Sequence, residues 1–199
     1  LFEDLEAVLP DCPVTPQVLT IAAKSRNAAG HRPEAFDLLQ EALQMQPDFL
    51  EALLFQATLE VEAGQVEAAE KTLSRAVEHH PLEFRVHHQL SQVLARLGDS
   101  PRATQHADEA KRLRDLRERF TELHARASID VQSADLRYDL AMTAKQLGMT
   151  EMALNWLTQT LALDRQHADA RIALNELREQ ALSGSNARSS VESSVERGQ

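Results

Sequence analysis

Apolar and polar positions follow a helical period most clearly in residues 102–127. Leu113, Leu116, Phe120 and Leu123 recur at steps of three, four and three, which is the spacing of one face of an α-helix. The stretch contains no glycine and no proline. It therefore predicts one helix of 26 residues, about 39 Å long at a rise of 1.5 Å per residue.

Small residues and helix-stopping residues repeat with a fixed period in the chain. Glycines lie 34 residues apart, at Gly30, Gly64 and Gly98. Alanines follow each glycine by five and by twelve residues, at Ala35, Ala69 and Ala103 and at Ala42, Ala76 and Ala110. Prolines keep the same period, at Pro13, Pro47 and Pro81. Because glycine allows a left-handed turn, alanine allows close packing and proline ends a helix, each unit predicts a helix, a tight turn, a second helix and a stop.

A fourth copy of the unit is present but shifted and less regular. Gly148 and Ala153 keep the glycine-to-alanine spacing, whereas Thr160 and Arg165 replace the second alanine and the proline. An uninterrupted array would place the glycine where Gln132 stands, so 16 extra residues intervene. We expect the long helix predicted above to use most of them.

This pattern resembles the tetratricopeptide repeat family. The resemblance implies an all-α fold, a right-handed α-solenoid of stacked helix-turn-helix repeats with one extended helix and a C-terminal capping helix. The segments are the end of a preceding repeat at 1–13, repeats at 16–49, 50–83 and 84–115, an irregular insert at 116–133 that begins as a helix extension, a repeat at 134–167 and a capping helix at 168–182. The solenoid is thus expected over 1–182, and the Ser-rich tail 183–199 is expected to be disordered.

Composition narrows the classes of function. The chain has 199 residues, 43% of them hydrophobic and 4% aromatic, with six glycines, which suits a helical protein with a core. Its net charge of −10 opposes nucleic-acid binding and contact with anionic membranes. The single cysteine, Cys12, cannot form an internal disulfide, and the compartment stays undetermined. Since the first residue is Leu1, we interpret the sequence as a piece of a longer protein.

The motifs of common catalytic sites are absent from the sequence. It contains no HExxH, GxGxxG, GxSxG or CxxC. We therefore expect no enzymatic activity and no cofactor. Cys12, in "PDCPVTP", is interpreted as an ordinary cysteine, with a reactive thiol or a haem contact as the alternative.

Four of the eight histidines lie in "HHPLEFRVHH", residues 79–88. Neighbouring helix residues point about 100° apart, so neither adjacent pair can chelate a metal ion alone. A zinc site would need His80 with His87, or His79 with His88, and a carboxylate such as Glu78 or Glu83. The favoured interpretation is a helix end followed by a helix start, with the first two imidazoles near the negative end of a helix dipole.

The predicted long helix carries the densest basic stretch of the chain, Lys111, Arg112, Arg114, Arg117 and Arg119. Interleaved acids create three pairs at i,i+4 spacing, Lys111–Asp115, Arg114–Glu118 and Asp115–Arg119. These pairs favour a solvated, salt-bridged face. The alternative is a basic stripe that docks an acidic partner or a membrane surface.

The resemblance also implies where a partner would lie. In the family, four positions of each first helix face a concave groove, and the residues expected there are Lys24, Asn27, Leu54, Thr58, Arg85, His88, Gln92, Tyr138, Met142 and Lys145. Because Lys24 occupies a position that is usually asparagine in family members that clamp C-terminal carboxylates, that particular clamp is not supported.

We expect a protein-protein interaction scaffold that binds a partner peptide or helix in this groove. Self-association into a homo-oligomer and a role as the regulatory module of a larger enzyme are the alternatives.

Overall fold

The computed structural model describes the backbone of residues 14–195 and the side chains of residues 14–181. This part of the chain contains nine α-helices and no strand, which confirms the all-α prediction. The helices are α1 (Pro16–Ala28), α2 (Arg32–Met45), α3 (Leu50–Glu62), α4 (Val66–His79), α5 (Phe84–Arg96), α6 (Ser100–Ile129), α7 (Ala134–Gln146), α8 (Thr150–Leu163) and α9 (Ala168–Val195). The preceding-repeat segment 1–13, which includes Cys12, lies outside the described residues.

The turn between the two helices of a unit is fixed by its glycine. At the end of α3, Gly64 has φ +77°, a left-handed conformation that costs other residues about 1–2 kcal/mol. The N–H of Gly64 donates to the Val61 carbonyl, and the N–H of Gln65 donates to the Glu60 carbonyl. These two bonds satisfy carbonyls that the helix end leaves without partners. The same geometry recurs at Gly30, Gly98 and Gly148.

The chain divides into two compact units, Leu1–Leu113 and Arg114–Gln199. In the first unit, the periodic alanines predicted to allow close packing lie between helices and are fully buried at positions 35, 42, 69 and 76. Around them pack fully buried leucines such as Leu39, Leu53, Leu73 and Leu94. Alanine at these points lets two helix backbones approach, while the leucines supply most of the buried apolar area.

The second unit has its own core. Ala153 and Leu157 of α8 pack with Ala141 of α7 and with Ala170 and Leu174 of α9. A second cluster joins Leu123 and Ala127 of α6 to Leu140 of α7. The helix that follows the fourth repeat therefore covers an apolar face of that repeat.

The long helix α6 spans 30 residues, beginning at Ser100 and ending at Ile129, two residues beyond the expected range at each end. Of its predicted apolar stripe, Leu113 and Leu123 are buried, and Leu116 and Phe120 are half-buried.

Helix α9 extends beyond residue 182, where the capping helix was expected to end. It continues to Val195, so residues 183–195 of the expected disordered tail are helical, and residues 196–199 lie outside the described part. The segment contains no proline, so no residue in it prevents a helix that has already begun from continuing.

Candidate binding groove

The first helices of the three repeats in the first unit line a cleft of about 290 Å³. Helix α1 contributes Lys24, α3 contributes Leu54, Phe55 and Thr58 among others, and α5 contributes residues of its first two turns. The full lining is Lys24, Glu51, Leu54, Phe55, Thr58, Phe84, Arg85, His88 and Gln89. Apolar and aromatic surface thus alternates with charged groups.

A second cleft of about 240 Å³ lies between α3 and α5. Its lining is Ala57, Thr58, Val61, Glu62, Leu73, Gln89, Gln92, Val93 and Arg96. Because Thr58 and Gln89 line both clefts, the two are neighbouring parts of one surface, here called the groove. The side-chain oxygen of Gln89 is buried and has no hydrogen-bond partner among residues 14–181.

Glu51 connects the two cations of the first cleft. Its carboxylate lies 2.9 Å from Arg85 Nη2 and 3.9 Å from Lys24 Nζ. Arg85 Nε also contacts Glu83 at 3.1 Å, and Lys24 Nζ lies 5.8 Å from the centre of the Phe55 ring. Burial lowers the pKa of Arg85, but the hydrogen bonds to Glu51 and Glu83 outweigh it and raise the pKa overall. The guanidinium therefore stays charged and held in place.

Six of the residues expected in the groove lie along these two clefts: Lys24, Leu54, Thr58, Arg85, His88 and Gln92. His88 is exposed, and its Nε2 accepts a hydrogen bond from Gln92 Nε2 at 3.2 Å. Asn27 is half-buried at the last turn of α1, where its main-chain carbonyl accepts the N–H of Gly30.

Three residues that line the first cleft lie outside the four helix positions that the resemblance places in the groove: Phe55, Phe84 and Gln89. Phe55 and Gln89 are both the sixth residue of their repeat, adjacent to the fifth positions that the resemblance places in the groove. A residue one step along a helix is rotated by about 100°, so a wide groove includes part of the neighbouring row. The shared sixth position is the signal that could have identified Phe55 and Gln89.

The other three expected residues belong to the second unit, on α7. Tyr138 and Met142 pack partly buried against the core that includes α9, and the Tyr138 ring lies 4.7 Å from that of His167. Lys145 Nζ contacts Glu176 of α9 at 3.3 Å. Burial, followed by nearby carboxylates, raises the pKa of Tyr138. All three side chains therefore already contact other residues of the second unit.

The histidines of residues 79–88 contact main-chain and side-chain groups. His80 Nε2 lies 2.6 Å from the Asp48 carbonyl oxygen, and His87 Nε2 lies 3.0 Å from that of Pro81. Within residues 14–181, no three His, Cys, Asp or Glu side chains are close enough together to hold a metal ion.

The basic stretch of α6 has a different pairing from the expected one. The three i,i+4 pairs do not form among the described side chains, which corrects that prediction. Arg112 instead binds Glu109 through two hydrogen bonds of 2.8 and 2.6 Å. An exposed i,i+4 pair contributes at most a few tenths of a kcal/mol, which is too little to hold long side chains in one conformation. No helix in the part of the chain that the structure describes is long and apolar enough to cross a membrane.

Comparison with known proteins supports the repeat interpretation. The tetratricopeptide repeat family model matches residues 27–97, whereas no curated protein sequence matches the chain. Among solved structures, TTC0263, a thermophilic TPR protein in Thermus thermophilus, is 19% identical with a TM-score of 0.51, and the match covers 88% of each chain. YrrB, described as a TPR protein with an unusual peptide-binding site, is 17% identical with a TM-score of 0.51, and the match covers 87% of this chain and 98% of that one. A chain of the APC/C hetero-tetramer Cut9-Hcn1 is 13% identical with a TM-score of 0.51, and the match covers 88% of this chain and 39% of that one.

At these identities, the likeness to solved structures concerns the fold. It agrees with the helix content in confirming an all-α helical-repeat solenoid. Proteins with such repeats are generally non-enzymatic scaffolds that bind protein or peptide partners. The glycine, alanine and proline spacing, the glycine turns and the family match agree, and residues 27–97 belong to the tetratricopeptide repeat family.

Proposed function

We propose that this chain is a protein-binding scaffold, without catalytic activity, that holds a partner peptide or helix in the groove of its first unit. The observation that carries the proposal is the pair of adjoining clefts along α3 and α5, which are lined by apolar, aromatic and charged side chains. Leu54, Phe55 and Phe84 offer apolar and aromatic surface for a partner's apolar side chains. Such anchors supply most of the binding energy in known interfaces.

The charged groups define the polar part of the proposed partner. Lys24, Arg85 and His88 can donate hydrogen bonds to a carboxylate, but Glu51 already contacts two of them. A partner carboxylate would take over part of the role of Glu51. The favoured ligand is therefore a peptide with apolar anchors and acidic residues.

Two residues on α7 extend the proposal to the second unit, where Tyr138 and Met142 present partly buried apolar surface. Lys145 is paired with Glu176 and would interact with a partner in the same competitive way as Lys24. The contribution of this unit is tested separately from that of the first, with variants at these three positions.

Charge reversal tests the groove of the first unit. The probe is a set of fluorescent 12-residue peptides with Leu and Phe anchors, in an acidic series and a matched basic series. We expect Lys24→Glu with Arg85→Glu to weaken binding of the acidic series by about tenfold or more, equivalent to about 1.4 kcal/mol. Fluorescence anisotropy gives the affinities.

Lys71→Glu with Arg75→Glu is the matched control, because both side chains are exposed on α4 and line neither cleft. It should leave the affinity unchanged. Equal binding of both peptide series to the wild type, or equal losses in the groove variant and the control, would contradict the proposal. Circular dichroism of each variant shows whether its helices are retained.

A further inference from the structure

Two imidazoles connect α5 to α6 on a side of the third repeat that the groove does not use. His87 Nδ1 lies 2.9 Å from His106 Nδ1, and the ring centres are 5.1 Å apart. His87 Nε2 lies 3.0 Å from the carbonyl oxygen of Pro81. His87 is 6% exposed, so its ring nitrogens depend on these two partners rather than on water.

These distances determine which nitrogens carry protons when both rings are neutral. A carbonyl oxygen accepts hydrogen bonds and never donates them, so His87 must carry its proton on Nε2 and donate to Pro81. Its Nδ1 is then an acceptor, and the hydrogen bond between the rings requires a proton on Nδ1 of His106. His106 is thereby held in one tautomer by its neighbour.

Protons added to this pair have unequal effects. The first can bind Nε2 of His106, which leaves Nδ1–H of His106 donating to His87 and makes the bond charge-assisted. The second must bind Nδ1 of His87. Two N–H groups then face each other across 2.9 Å in two charged rings, and the hydrogen bond is lost.

The surroundings of the pair include charges of both signs on α6. Asp108, Glu109 and Arg112 line the same surface cavity as the two histidines. Burial lowers the pKa of His106 from its ordinary value, and the charges of His87 and Arg102 lower it further, whereas Glu109 raises it. The carboxylate of Glu109 is bound to Arg112.

The elements on the other side of His87 bring few charges to it. The segment before α5 presents the Pro81 carbonyl, and its Glu83 carboxylate is bonded to the main-chain N–H and the Nε of Arg85. From α4, the residues packed in the same core as α5 are apolar, among them Leu73 and Ala76. On this side, the polar group that holds the His87 ring is the Pro81 carbonyl.

We propose that His87 and His106 form a proton-operated latch between α5 and α6, which stays closed with no proton or one proton added and opens when both rings are charged. Opening loosens the packing of α6 on the first helix of its own repeat. Because the pKa of His106 is lowered, the unfolded chain binds this first proton more readily than the folded chain does. The folded chain therefore loses stability as the pH falls below about 6.5, and the latch opens only when the second proton binds.

Nuclear magnetic resonance of the full chain with ¹⁵N-labelled histidine tests the tautomers directly. At about pH 8, where both rings are neutral, we expect His106 to carry its proton on Nδ1 and His87 to carry its proton on Nε2. On acidification, the first added proton should appear on Nε2 of His106 while Nδ1–H of His106 still donates to His87. A proton on Nε2 of His106 at high pH, or two rings that titrate independently of each other, would overturn the proposal.

Hydrogen exchange tests whether the latch holds the helices. Between about pH 7.5 and about pH 5, on either side of the ordinary histidine pKa, α5 and the first three turns of α6 should lose protection about tenfold after correction for the intrinsic exchange rate. In His106→Gln the loss should be below about twofold, because an amide stays neutral and can donate to His87 or accept from it.

His79→Gln, which removes an exposed histidine, is the control and should behave as the wild type. If His106→Gln lost protection in acid as much as the wild type does, the latch would be disproved.

Discussion

At the scale of single residues, Glu51 decides how the groove presents its charge. It is the second residue of its repeat and places one carboxylate between a lysine of the preceding repeat and an arginine of the following one. The side chains of all three are about half-exposed, so each contact contributes little to stability. The arrangement therefore affects recognition more than folding.

Glu51→Gln should increase the affinity of the groove for the acidic peptide series. The substitution removes the carboxylate that competes with the ligand while keeping a side chain of similar size and polarity. We expect tighter binding by about three- to tenfold, equivalent to about 0.7–1.4 kcal/mol, with a stronger dependence on salt because Lys24 and Arg85 lose the carboxylate that they share. Anisotropy titrations at low and moderate ionic strength measure both effects.

The control for this prediction is Glu67→Gln, an exposed acid on α4 that removes the same charge elsewhere. An equal increase in both variants would show that the lost net charge matters and not the competition. Unchanged affinity in Glu51→Gln would contradict the competition directly. The sequence indicated Lys24 and Arg85 as groove residues. It could not indicate that Glu51 contacts both, because that depends on the spacing of three helices in space.

At the scale of helices, the sequence predicted most boundaries because glycine and proline act locally. Each of these turns requires a left-handed backbone, which residues other than glycine adopt only at an energetic cost. A turn glycine therefore marks the end of a helix. Helix α8 shows that proline is not required for the stop. It ends at Leu163 although Arg165 stands in the proline position, and the Asp164 carboxylate accepts the N–H of Gln166, a local bond that competes with a helix.

Asp115, which stands 34 residues after Pro81, and Arg165 occupy the two stop positions that lack proline, and proline placed there should have different consequences. Asp115→Pro falls inside α6, where it removes a helical hydrogen bond and clashes with a preceding carbonyl, at a cost of about 3 kcal/mol or more. Arg165→Pro falls after α8, and Asp164 before it has φ −128° and ψ 99°. Those angles resemble the φ −141° and ψ 97° of Gln46, which precedes the native Pro47.

We therefore expect Arg165→Pro to change the free energy of unfolding by less than about 1 kcal/mol. Urea unfolding followed by circular dichroism measures both variants. If Asp115→Pro were as stable as the wild type, the continuity of α6 would not be important for the fold. A large loss in Arg165→Pro would mean that the turn after α8 differs from its counterparts.

At the scale of the whole chain, the division into two compact units at Leu113 was not predictable from the sequence. Glycine, proline and polar linkers mark domain boundaries in a sequence, but this boundary lies within an unbroken helix whose apolar stripe continues across it. It arises from which neighbours the side chains contact, and those neighbours are distant in sequence. Each unit retains a core of its own.

Separate cores predict separate local unfolding. Leu157→Ala removes a fully buried side chain from the core of the second unit and should cost about 2–5 kcal/mol. Because repeat proteins are stabilised mainly by contacts between neighbouring helices, the amides of α7 and α8 should exchange faster while those of α1 to α4 change little. Leu73→Ala, which removes a fully buried leucine from the first unit, should give the reverse pattern. Hydrogen exchange mass spectrometry resolves the two regions, and uniform acceleration along the chain by either variant would show instead that the molecule unfolds as one cooperative unit.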